Sequence, residues 1–176
     1  MRSSDANWLL SEELQSEAVA QTDGAAQARS VVALLNGGGL YTRTALLVLP
    51  LGWLGREGEI SARLGIAHVH YQQWKLERIS PDQSYLLYSA ERLIAELDAL
   101  CGEPYPYGTL LVSVFDLPLA ALVPAELRKF WNYLFGTFSK RPRGVMLALP
   151  DGAPILPTET DLEGWQAAGR LARWEI

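Results

Sequence analysis

The sequence predicts an α/β protein: three layers, with helices flanking a mostly parallel sheet of about five strands. Two observations lead there. Three strand-sized apolar runs, at 44–50, 109–116 and 145–150, are each bounded by breakers, as in strands buried on both faces. Stretches with helical spacing of apolar residues separate them. Strands that alternate with helices pair in parallel, because each return to the same sheet edge needs a long crossover.

The first 24 residues read as an appendage to a single domain over 25–176. Trp8, Leu9, Leu10, Leu14 and Val19 form a weak helical stripe among Ser, Glu and Gln, broken at Thr22-Asp23-Gly24. The segment either packs on the domain or docks on a partner, and Trp8 is large enough to anchor either contact. A helix over Ala25–Leu35 follows, with Val31, Val32, Leu34 and Leu35 on its buried side. It ends at Asn36-Gly37-Gly38-Gly39, because glycine reaches the left-handed conformation of a helix C-terminus.

After the strand at 44–50, a glycine turn (Gly52, Gly55, Gly58) leads to a short helix over Glu57–Leu64, closed by Gly65. Ile66–Tyr71 reads as a second strand. Residues 72–83 are polar, with Trp74, Leu76 and Ile79 placed to cap a sheet edge. Ser89 is the expected N-cap of a helix running to Leu100, with Leu93, Ile94, Leu97 and Leu100 on one face and Gly102 beyond its end. The strand at 109–116 ends in Asp116. Pro124 suits the first turn of the next helix, whose stripe is Leu127, Phe130, Trp131 and Leu134. After the strand at 145–150, Thr160-Asp-Leu-Glu163 matches a capping box opening a helix, and the tail 171–176 reads as a last strand.

Composition narrows the function classes. At 176 residues, 49% apolar and 20% charged, the chain can bury a full core. A net charge of −5 argues against a surface that binds nucleic acid all round, while leaving room for a local basic patch. The lone Cys101 forms no internal disulfide and suits a reducing cytosol. The N-terminus lacks the order of a signal peptide, and the longest apolar run, Ala45–Leu51, is too short to span a bilayer. A cytoplasmic protein without membrane contact is expected.

Ligands of open α/β sheets bind at the carboxyl ends of the strands. The candidates there are Gly52, Gly55, Arg56, Gly58, His70 and Asp116. A glycine turn entering a helix can cradle phosphate on backbone N–H groups. This one matches neither the Walker A nor the Rossmann spacing: no lysine or hydroxyl follows the last glycine, and Glu57 and Glu59 oppose an anion. Asp116 follows an apolar strand as a Walker B acid does, or caps the next turn. His68 and His70 share one face of a strand, but zinc needs three or four ligands and no third one stands nearby. Neither a metal nor any cofactor is required. Arg128, Lys129, Lys140, Arg141 and Arg143, interleaved with aromatics, form the best candidate surface for a nucleic-acid or acidic partner.

The order helix, strand 44–50, glycine turn, helix, strand ending at Asp116, helix, strand 145–150 resembles the core of a P-loop NTPase of the RecA or AAA type, over about residues 25–176. Size and layout are similar to small P-loop proteins of bacterial phage-defence clusters such as BREX. With the Walker A lysine missing, the resemblance implies an accessory or assembly subunit that keeps the fold without hydrolysis and contacts protein or nucleic acid in a larger complex. Two other readings stand beside it. One is a nucleotide- or small-molecule-binding protein or enzyme using the 52–58 turn, in which Arg56, His70 and Asp116 converge. The other is a flavodoxin-like or Rossmann-like regulator that senses a small molecule.

Overall fold

The computed structural model describes residues 24–80 and 87–175, so the proposed N-terminal appendage lies outside the described residues. Residues 24–36 form helix α1. Then follow β1 (Thr44–Leu49), a 3-10 turn (Leu51–Trp53), α2 (Glu57–Leu64), β2 (Ala67–His70), α3 (Tyr71–Leu76) and α4 (Ala90–Gly102). The second half holds β3 (Thr109–Ser113), α5 (Asp116–Ala120), α6 (Pro124–Gly136), β4 (Gly144–Pro150), α7 (Glu159–Ala167) and β5 (Leu171–Arg173).

The strands form one all-parallel sheet in the order β2-β3-β4-β1-β5. β1 pairs with β4 from Thr44 opposite Val145 to Leu49 opposite Pro150, and with β5 on its other side. Every residue of β1 and β3 is buried, which is why both read as continuous apolar runs rather than alternating ones. Alternate side chains feed two cores. Leu46, Val48, Val112 and Leu147 pack with α3, α4, α6 and α7; Ala45, Leu47, Leu111 and Met146 pack with α1 and α2. Burying each such leucine contributes about 2 kcal/mol.

Two arginines close the amino edge of the sheet. Arg43 donates to the carbonyls of Leu35, Gly108 and Pro142. Arg170, only 4% exposed, donates to Thr44 O (2.6 Å), Phe135 O (2.8 Å) and Leu134 O (3.2 Å).

Several elements differ from expectation, each for a local reason. The second strand stops at His70, whose ring accepts the Gln73 N–H and caps α3, so Tyr71 opens that helix instead of closing the strand. Of the residues expected to cap an edge, Trp74 is buried and Leu76 is exposed. Gly102 is the last helical residue of α4, not one beyond it. The 109–116 strand ends at Ser113: Val114 turns the chain with φ 58°, and Phe115 drops into the core between Tyr71 and Phe130. Asp116 therefore starts the short helix α5, which sequence spacing does not announce. The last helix is capped two residues earlier than the Thr160 box, by Thr158, whose oxygen accepts the Asp161 N–H at 3.3 Å.

Candidate functional site

The topology singles out one crevice. The onward connection from β1 runs through α2, against the core that holds Leu47 and Met146. The onward connection from its neighbour β4 runs through α7, against the opposite core. Adjacent strands whose connections leave to opposite sides define the switch point where such sheets hold ligands. Around the carboxyl ends of β1, β4 and β5 is a cleft of about 330 Å3, lined by Val48, Pro50, Asp151, Arg173, Trp174 and Glu175. Asp151 accepts from Arg173 at 3.2 Å, so the cleft carries one internal ion pair and one further carboxylate.

The glycine turn leaves β1 here. Gly52 is exposed and its position would admit a side chain; only Gly55, with φ 82°, needs glycine's freedom. The Gly55 N–H donates to Glu57 Oε1 at 3.1 Å, and Glu57 is only 7% exposed. The turn's own carboxylate thus takes a backbone donor that an anion-binding loop would present. Arg56 is exposed, but its guanidinium is already engaged. It grips Glu59 through two hydrogen bonds, at 3.0 and 2.7 Å, and its guanidinium lies 4.1 Å from the centre of the Trp53 ring. Those hydrogen bonds hold the Glu59 carboxyl below its ordinary range. Trp53 packs edge-on against Trp174, tying the turn to the end of β5. A Cβ at Gly58 would stand 3.7 Å from His68 Nδ1, which puts that ring under the first turn of α2.

The structure brings Gly58 beside His68, not beside His70. His70 is exposed at the end of β2, the outermost strand, with its ring engaged in capping α3. His68 lies deeper, its Nε2 2.8 Å from Ser113 Oγ at the end of β3. Burial holds the His68 pKa below its ordinary value, against the opposing pull of Glu57. Asp116, three residues past the strand, does not occupy a strand-end acid position. Among the described residues no group of three or more metal-ligating side chains is assembled.

The basic segment divides by role. Arg143 donates to the carbonyls of Cys101 and Tyr105, and Arg141 pairs with Asp98 and stacks on Phe138. Lys129 reaches Glu91 at 2.8 Å. Arg128 and Lys140 are exposed and have no ion pair among the described residues. Phe130 and Trp131 are buried, so these two aromatics belong to the core, whereas Phe135 is exposed. Cys101 is fully buried, and burial pushes its thiol up to about 12. No helix among the described residues is long and apolar enough to cross a membrane.

Sequence reasoning weighed Glu57 only as a repulsive charge. Its spacing, two residues after Gly55 and at the mouth of a helix, was the available signal that it folds back on the turn. No protein-family model matches the chain, and no curated protein matches it in sequence.

Proposed function

We propose that the chain is a non-catalytic accessory or assembly subunit, in which an NTPase-like α/β scaffold serves contacts with a protein partner. The observation that carries this reading is the Glu57 carboxylate on the Gly55 N–H. A phosphate entering the turn would have to displace a buried anion, and neither a lysine nor a hydroxyl follows Gly58 to replace what it lost. Strand order supports the scaffold half: read from the other edge it is β5-β1-β4-β3-β2, the order used by RecA- and AAA-type cores. The resemblance to small proteins of phage-defence clusters suggests the kind of bacterial assembly, phage defence or DNA processing, to look in. Arg128 and Lys140, the two cations of the basic segment without ion pairs among the described residues, are the contacts to mutate first.

Calorimetric titration of the full chain with MgATP tests the first half. No saturable heat is expected up to about 1 mM, the range where even weak sites show. Saturable binding that Arg56→Ala abolishes would overturn the reading in favour of a nucleotide-binding protein. Native purification of the tagged chain tests the second half: a stoichiometric partner chain, lost in Arg128→Glu/Lys140→Glu, is expected. A partner-free protein would remove the assembly role.

A further inference from the structure

Away from the glycine turn, a second cleft of about 420 Å3 opens between the α5–α6 corner and the loop joining β4 to α7. Its size falls within the range of small-molecule sites. It too lies beyond the carboxyl ends of strands, here β3 and β4. Its walls are Leu119, Leu122, Leu127, Trp131, Ile155 and Pro157.

The walls are held apart by structure that does not depend on an occupant. Trp131 Nε1–H donates to Ile155 O at 2.9 Å, which fixes α6 against the β4–α7 loop. That loop folds on itself through Ala153 N–H to Pro150 O and Leu156 N–H to Ala153 O. Pro154 and Pro157 further restrict it.

The polar groups at the mouth select a charge. Arg128 lines the cleft, is exposed, and has no ion pair among the described residues, whereas Lys129 beside it is held by Glu91. Asp161 stands on the rim, but its carboxylate accepts the Thr158 hydroxyl at 2.7 Å and it sits in the first turn of α7, where the helix dipole favours an acid. Asn132 adds amide hydrogen-bonding capacity. A single cation over an apolar slot, with an acid already committed nearby, suits one negative charge on an apolar body. It does not suit a polyphosphate, which would meet Asp161 with too few cations.

We propose that this cleft binds a small apolar carboxylic acid, with its hydrocarbon body against Trp131 and Leu122 and its carboxylate on Arg128. The site is independent of the 52–58 turn and shares Arg128 with the partner surface of the accessory-subunit reading.

Octanoate and 1-octanol make the test, since they share a chain and differ in the charge of the head. Each is titrated into the full-length protein by calorimetry, with the Trp131 indole N–H followed by NMR. Octanoate is expected to saturate, to shift the Trp131 resonance and to bind roughly ten-fold tighter than octanol, the worth of one charge-assisted pair. Arg128→Gln, an exposed change that leaves the fold intact, is expected to bring octanoate down to the level of octanol. Ala120→Trp, which fills the cleft from its exposed rim, is expected to abolish both. Equal affinities in the wild-type protein, no saturation by octanoate, or an undiminished gap in Arg128→Gln would each overturn the proposal.

Discussion

Arg170 donates to the carbonyl oxygen of Thr44 at 2.6 Å from inside the amino edge of the sheet, where β1 begins. The same guanidinium reaches the Thr44 hydroxyl and the carbonyls of Leu134 and Phe135, in the last turn of α6, and it lies against both the Phe135 and Trp165 rings, which pack edge-on on each other. Helix C-terminal carbonyls are unsatisfied acceptors that favour a cation. Arg170 thus ties β1, α6 and α7 together with no carboxylate among the described residues involved. Burial pushes its pKa down to about 10, so it remains charged at neutral pH.

Arg170→Met is expected to lower stability by about 3 kcal/mol, because it strips the buried Thr44 carbonyl of its side-chain donor and leaves the carbonyls of Leu134 and Phe135 with only the hydroxyls of Thr44 and Thr42. Arg170→Lys should recover only part of this, since an ammonium lacks the planar fork that reaches several acceptors at once. Midpoints of urea denaturation at an unchanged slope would measure both. A loss below about 0.5 kcal/mol in Arg170→Met, the size of an ordinary surface change, would show that the network is not structural.

His68 supplies a pH dependence. Burial depresses its pKa in the folded chain, while the unfolded value stays near the ordinary 6.5 or so. The unfolded state therefore binds the proton more readily. Stability from this group is fully present above the unfolded value and falls as pH drops through it toward the folded value. His68→Gln, which cannot titrate, should flatten the stability profile between about pH 7.5 and 5.5. A profile as steep in the variant as in the parent would assign the acid sensitivity to another group.

Val114 and Lys140 carry the left-handed backbone without glycine, at φ 58° and 57°. A β-branched residue in that region is a conformational outlier, costing about 1–2 kcal/mol. Asparagine tolerates it. Val114→Asn and Lys140→Asn are each expected to raise stability by about 1 kcal/mol in thermal or chemical denaturation. The Lys140 change is the cleaner of the two, since that side chain is exposed and buries nothing. Destabilisation at both positions would mean the strain is not stored there.

The layered order of the fold was legible because burial on both faces leaves a plain mark: β1, β3 and β4 are apolar runs with breakers at their ends. The helix over 57–64 was equally plain, since Gly65 stops it in the left-handed conformation with φ 65°. What spacing could not show were features decided by one side chain meeting a distant one. The strand boundary at Ser113 depends on Phe115 finding Tyr71 and Phe130. The division of the basic segment depends on Asp98, Glu91 and the carbonyls of Cys101 and Tyr105, all far from it in sequence. The cleft beside Trp131 needs two loops that are separate in the chain. The position of the 52–58 turn after β1 was therefore legible, but the donors and acceptors that its residues meet were not.

Cys101 turns one of these distant contacts into a measurable rate. Its thiol is fully buried, so a reagent such as 5,5′-dithiobis(2-nitrobenzoate) must wait for the chain to open. Labelling at pH 8 should be slow in the native protein and complete, at one thiol per chain, in urea. Arg143 binds the Cys101 carbonyl at 2.8 Å and the Tyr105 carbonyl through two further bonds, which pins the end of α4 to the loop that follows. Arg143→Ala should cost about 2 kcal/mol by removing charge-assisted bonds from these carbonyls. When opening is fast compared with labelling, the rate follows the open population, so labelling should accelerate about thirty-fold. Lys140→Ala, a few residues away and free of such contacts among the described residues, should leave the rate unchanged. Equal acceleration by both substitutions would mean that the segment acts on Cys101 through its charge and not through the bonds Arg143 makes.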